Sequence, residues 1–128
     1  MNYLQMRSPL AKAKNLGASG TGTHHWWHQR LTSIIMIPLV IWLCYFLHCS
    51  SGISFFDALS VLRRPYNIIP MMLLVITFFY HASLGMQVVI EDYISNLTFR
   101  YFLIIALEIF VMVTVLSAVV ALLFLMLV

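Results

Sequence analysis

The sequence predicts an all-α integral membrane protein with three transmembrane helices. Of its 128 residues 62% are hydrophobic and only 9% are charged, whereas soluble domains carry about a quarter charged residues. Three apolar runs are each long enough to cross about 30 Å of hydrocarbon, which takes about 20 helical residues. Only helices or closed barrels can span lipid. Because the alternating pattern of barrel strands is absent, the three runs are predicted to be helices.

The chain divides into a polar, basic N-terminal segment, residues 1–30, and a transmembrane domain, residues 31–128. Within the first, "NLGASGTGT" (residues 15–23) is expected to be an irregular loop, since Gly, Ser and Thr favour non-helical backbone. The acid-free start has no secretory signal core, so the first span is expected to serve as the insertion signal. A mitochondrial targeting segment is the alternative.

The three predicted spans cover residues 31–51, 68–90 and 101–128, and the first two contain no Asp, Glu, Lys or Arg. Pro38 is expected in the first turns of the first span and Pro70 at the start of the second, where a missing N–H costs little. Glu108 falls inside the third span, where a carboxylate needs a partner or a proton. The sequence leaves that partner open.

Basic residues near the span ends predict the orientation, because they favour the inner side of the membrane. Five of them share a side with the N-terminus and two lie on the other: Arg7, Lys12, Lys14, Arg30 and Arg100 against Arg63 and Arg64. The N-terminus is therefore predicted on the cytoplasmic or matrix side. Trp26 and Trp27 precede the first span and suit the headgroup level there, and Arg30 is expected at the hydrocarbon edge.

The stretch "HASLGMQVVIEDY", residues 81–93, places a histidine inside the second span, about 14 Å from Ile90 along a helix. Ionisable groups at such depth are rare and usually face a bundle interior or a cofactor. His81 is thus a candidate metal or cofactor ligand. The alternative is a neutral histidine that hydrogen-bonds a neighbouring helix.

Helical geometry places Gly85 and Asp92 on the same face as His81, within about 40° at 100° per residue. A flat ring coordinated by His81 would need the space that a glycine leaves one turn away. Close helix packing explains Gly85 equally well. His48, the other intramembrane histidine, lies at a different depth, so a second axial ligand is expected from a partner chain.

Tyr93 lies about 18 Å along the helix from His81, which places it with Asp92 at the inner interface. A phenol there can meet an amphipathic ligand, and a carboxylate can relay protons. The alternative for Tyr93 is an aromatic-belt residue that only anchors the helix at the headgroup level.

Together with "HHWWHQRLTSI" before the first of three spans, the stretch resembles the small hydrophobic membrane-anchor subunit, the cytochrome b small subunit, of succinate dehydrogenase, respiratory complex II. The resemblance implies a haem b shared with a second membrane-anchor cytochrome b subunit in a heterodimeric helix bundle. His81 then matches the axial haem ligand and Arg30 the arginine near the haem propionates. Asp92 and Tyr93 match the acid and tyrosine of the ubiquinone site.

The resemblance also implies a subunit that performs no catalysis itself. The sequence has no flavin fingerprint, no iron–sulfur cysteine set and no nucleophile beside a base. Flavoprotein and iron–sulfur subunits would dock on its inner face, in the bacterial cytoplasmic or mitochondrial inner membrane, and no nucleic-acid partner is expected. The alternatives are the anchor of a fumarate reductase or another quinol oxidoreductase, and a structural membrane subunit without a cofactor.

The basic-residue count predicts the outcome of reporter fusions. A reporter after Val128 should read as periplasmic or intermembrane-space, and a reporter near Ser95 should read as cytoplasmic or matrix, because three spans place these points on opposite sides. Alkaline phosphatase and green fluorescent protein fusions make the measurement. The reverse pattern would move Asp92 and Tyr93 to the outer face and contradict the quinone assignment.

Overall fold

The computed structural model describes the backbone of residues 20–127 and the side chains of residues 26–127. Four helices follow one another in this range: α1 (Gly20–Ser50), α2 (Phe55–Leu62), α3 (Pro65–Tyr93) and α4 (Leu97–Leu127). Three of them, α1, α3 and α4, are long and apolar enough to cross a membrane. No strand occurs among the described residues, and the predicted all-α membrane class is confirmed.

All three long helices begin before the predicted spans. Residues 20–23, predicted as loop, belong to α1, so that prediction is wrong for them, while residues 15–19 lie outside the described range. Their weak helix propensity is overridden because adding a turn to an existing long helix costs little. The helix α1 also runs through residue 30, where the polar N-terminal segment was divided from the transmembrane domain by composition.

The prolines also differ from expectation. Pro65, not Pro70, occupies the first turn of α3, and Pro70 lies inside that helix. Pro38 lies well inside α1 rather than in its first turns. Each internal proline removes one backbone hydrogen bond, which the length of these helices tolerates.

The connection between α1 and α3 contains the short helix α2, which the sequence reasoning did not predict. Ser54 caps α2, since its Oγ accepts from the Asp57 N–H at 3.2 Å and donates to Asp57 Oδ2 at 2.7 Å. Buried Asn67 donates from Nδ2 to the Val61 carbonyl at 2.9 Å. This bond fastens the end of α2 to the first turn of α3.

The connection between α3 and α4 is only three residues long, Ile94 to Asn96. Asn96 caps α4, because its Oδ1 accepts from the Phe99 N–H at 3.2 Å. So short a connection forces the two helices to be antiparallel neighbours.

α3 is the central helix of the molecule. Both α1 and α4 pack against it, while α1 and α4 scarcely touch each other. The buried apolar side chains, Ile68, Leu74 and Leu84, all belong to α3. Most large apolar side chains of α1 and α4 are exposed, so lipid or partner subunits must cover them.

Gly52, in the connection between α1 and α2, has a φ of +95°, and no atom lies within 4 Å of the point that a Cβ would occupy. Gly52→Ala should therefore cost about 1–2 kcal/mol through backbone strain alone. Gly52→Asn should cost less, because asparagine visits this region more readily. The thermal unfolding midpoints of the purified protein and the two variants test this order, and equal midpoints would contradict it.

Candidate functional site

His81 lies on the face of α3 that packs against α1. Its Nδ1 is 2.9 Å from the Oγ1 of Thr32, a side chain that is only 8% exposed. His81 itself is half-buried, and its Nε2 makes no hydrogen bond to any described residue. The bond to a neighbouring helix that the packing interpretation requires is thus present at one ring nitrogen, and the other nitrogen stays open.

Gly85 lies one turn further along α3, in the same contact with α1. A Cβ placed on Gly85 would come 3.4 Å from Nε2 of Gln29. This is an ordinary van der Waals distance to the end of a flexible side chain. Gly85 therefore lets the Gln29 amide lie close to α3, as the packing interpretation expects, and any larger group here must move that amide.

The two contacts fix the register of α1 against α3. Arg30 precedes Thr32 by two residues, so its Cα lies within about 3 Å of the depth of His81. Arg30 and His81 therefore lie at similar heights along the pair of helices. The reason is that α1 begins at Gly20, so its first turns run beside the C-terminal half of α3.

Arg30 is exposed, and its guanidinium carbon lies 5.2 Å from the centroid of the Trp26 ring. This cation–π contact stabilises the charge near the membrane interface. At 100° per residue Arg30 is about 160° around α1 from Thr32. The structure thus brings Arg30 to the depth of His81 but not into the contact between α1 and α3.

Asp92 and Tyr93 form the C-terminal end of α3, where Tyr93 is the last helical residue and is 83% exposed. Asp92 is exposed too, and neither side chain forms a hydrogen bond with another described residue. Asp92 lies about 16 Å along the helix from His81. The structure keeps this pair together at the membrane surface and separate from the histidine.

A second polar contact joins α3 to α4. Gln87, which is 8% exposed, donates from Nε2 to Oε1 of Glu108 at 3.1 Å. The two residues help line a cavity of about 510 Å³ between the helices. This bond supplies the partner for Glu108 that the sequence left open.

Two residues of these contacts, Thr32 and Gln87, escaped the sequence reasoning. Each is a polar side chain inside a predicted span or beside its edge, and each is buried in the structure. Polar residues at membrane depth tend to face neighbouring helices rather than lipid. This rule, applied to the uncharged polar residues of the spans, would have identified both as helix-contact residues.

These features define an integral membrane subunit of three spanning helices, with an open histidine between two helices and an acid–tyrosine pair at one end of the central helix. The family described as succinate dehydrogenase/fumarate reductase transmembrane subunit matches residues 5–127. The chain belongs to this family, and the resemblance read from the sequence is confirmed.

Three relatives share one name, succinate dehydrogenase hydrophobic membrane anchor subunit. The protein of Rickettsia bellii (strain RML369-C) is 45% identical over 94% of this chain and 96% of its own length. Those of Rickettsia conorii (strain ATCC VR-613 / Malish 7) and Rickettsia prowazekii (strain Madrid E) are 41% and 37% identical, over 91% and 90% of this chain and 93% and 92% of their own lengths. No solved structure gives a significant match. The predicted class, a non-catalytic membrane subunit, is confirmed by the family and by these relatives.

Proposed function

We propose that this chain is the membrane anchor of a succinate:ubiquinone oxidoreductase, in which it helps to bind haem b and ubiquinone. The observation that carries the proposal is the state of His81: an imidazole at membrane depth, with Nδ1 bonded inside the chain and Nε2 open. Membership in the succinate dehydrogenase/fumarate reductase family supplies the context. The chain itself oxidises no succinate and leaves that chemistry to soluble subunits.

Anchoring follows from the surface of the chain. The exposed apolar side chains of α1 and α4 suit lipid and a second membrane-anchor cytochrome b subunit, which would complete a heterodimeric helix bundle. Glu91, Asp92 and Arg100 lie around the inner connection between α3 and α4. Flavoprotein and iron–sulfur subunits would dock at this end, on the cytoplasmic or matrix side of the inner membrane.

The described residues fit a haem in part. His81 would supply an axial nitrogen through Nε2, and Gly85 leaves a neighbouring surface that only the movable Gln29 amide covers. His48 is exposed in the last turn of α1, at the outer end, so the second axial ligand would come from the partner subunit. Arg30 lies at the height of His81 but on a different side of α1 from Thr32. Its contact with a haem propionate stays a prediction. A bound haem b would supply a one-electron carrier between two helices.

Asp92 and Tyr93 would serve the quinone. The Tyr93 hydroxyl is free to donate to a quinone carbonyl, and Asp92 is free to pass on protons, since neither has a partner among the described residues. Reduction of a quinone to a quinol consumes two electrons and two protons. A site at the inner end of α3 places that reaction on the side where the soluble subunits dock.

Replacing His81 tests the haem assignment. His81→Ala should abolish or strongly disturb the low-spin haem b signal, because the variant has no axial nitrogen to offer. His48→Ala is the matched control, since it removes a histidine in the last turn of α1, at the opposite end of that helix from Thr32. The reduced-minus-oxidised spectrum of the purified complex is the measurement.

The His48→Ala complex should retain the parent spectrum. An assembled His81→Ala complex with an unchanged spectrum would show that His81 is a packing residue.

Replacing Tyr93 tests the quinone assignment. Tyr93→Phe keeps the ring at the interface and removes one hydroxyl donor, which leaves a quinone carbonyl unpaired at a cost of about 1–3 kcal/mol. Succinate-to-quinone activity should fall about tenfold or more, at about 1.4 kcal/mol per decade. Succinate oxidation by an artificial acceptor that bypasses the quinone should stay near the parent rate.

Tyr101→Phe is the control, because Tyr101 is an exposed tyrosine near the same end of the neighbouring helix. Equal loss of quinone activity in both variants would mean that the two tyrosines act as aromatic-belt anchors. Parent activity in Tyr93→Phe would remove Tyr93 from the quinone site.

A further inference from the structure

We propose that Thr32 is a positioning residue that fixes the tautomer of His81 and so leaves Nε2 as the nitrogen able to bind iron. This inference rests on the proposed haem ligation and extends it to a residue of the other helix. It starts from the three polar atoms around the Thr32 hydroxyl oxygen. They are the His28 carbonyl oxygen at 2.8 Å, the Gln29 carbonyl oxygen at 3.0 Å and His81 Nδ1 at 2.9 Å.

A hydroxyl has a single proton to donate. The two carbonyl oxygens only accept, so the Thr32 proton must lie between Oγ1 and these oxygens for either distance to be favourable. If the proton instead pointed to Nδ1, the hydroxyl oxygen would face two carbonyl oxygens at 2.8 and 3.0 Å with no hydrogen between them. That arrangement is repulsive, so the hydroxyl donates to the backbone of α1.

The direction of the bond to His81 follows. With its proton on the backbone, Oγ1 accepts, and Nδ1 of a neutral His81 must donate an N–H. A neutral imidazole protonated at Nδ1 carries its lone pair on Nε2. Nε2 is the nitrogen that has no partner among the described residues. The ring is thus prepared to ligate at the nitrogen that faces away from Thr32.

Because Thr32 is buried, a water molecule cannot easily take its place as the hydrogen-bond acceptor for His81. The Thr32 side chain is 8% exposed, and its β-branched shape restricts χ1, which holds the hydroxyl against the preceding turn of α1. Histidine ligands of metals commonly donate their other ring N–H to a fixed acceptor, which orients the ring and increases its basicity. Thr32 provides such an acceptor from the neighbouring helix.

Substitution of Thr32 in the assembled complex tests the inference. Thr32→Val keeps the branched shape and removes the acceptor, whereas Thr32→Ser keeps the hydroxyl. Thr32→Val should raise the midpoint potential of haem b, because a less basic imidazole stabilises ferric iron less. Haem affinity, measured as occupancy under haem limitation, should fall about 10- to 100-fold. Thr32→Ser should restore both values towards those of the parent.

Ser33→Ala is the matched control. The Ser33 hydroxyl bonds the Gln29 carbonyl at 2.8 Å in the same way as Thr32 but makes no bond to His81, so both haem properties should stay at parent values. Parent values in Thr32→Val would overturn the inference. An equal change in Ser33→Ala would do so as well, because the effect would then come from the α1 backbone.

The His81→Ala complex separates this inference from the proposed function. If His81→Ala loses the haem signal while Thr32→Val matches the parent, haem ligation stands and the role of Thr32 fails. If His81→Ala keeps the parent spectrum, the haem ligation itself fails, and the Thr32 inference falls with it.

Discussion

The absence of hydrogen-bonding solvent in the membrane is the constraint that shapes this protein. It forces the backbone into helices, which satisfy their own N–H and C=O groups. For the same reason, the few polar side chains of the spans form hydrogen bonds with one another. Among the described residues, Thr32 with His81 and Gln87 with Glu108 are polar pairs that join different spanning helices. Between apolar surfaces that slide easily, these bonds fix which turn of one helix lies beside which turn of the next.

The same constraint explains why the chain is incomplete as a single subunit. Both polar pairs involve α3, so α1 and α4 flank it on different sides and leave their remaining faces unpaired. Lipid tails are as apolar as these faces, so hydrophobicity alone stabilises the binding of a partner subunit very little. Close packing and polar groups must provide the specificity. The open Nε2 of His81 is a polar group of this kind, because no described residue bonds it.

The positions of the polar groups along α3 determine the length of the proposed electron path. His81 lies inside the long apolar helix α3, and Asp92 and Tyr93 lie about 16 to 18 Å further along the same helix. One rigid helix thus sets the separation of the proposed haem ligand from the proposed quinone contacts. Because the first turns of α1 run beside the C-terminal half of α3, Thr32 at the edge of the predicted span reaches His81, and Gln29 before that span reaches Gly85.

The membrane environment, the helical class, the three spans and the family could all be predicted from the sequence. They follow from local properties, namely apolar run length, charge position and the identity of rare polar residues. Tertiary packing was needed to show that α1 begins at Gly20, that Arg30 and His81 share a depth, and that Thr32 and Gln87 are contact residues. The physical reason is that register between apolar helices depends on pairs of polar groups far apart in the chain, and no periodicity within one helix encodes which pairs will form.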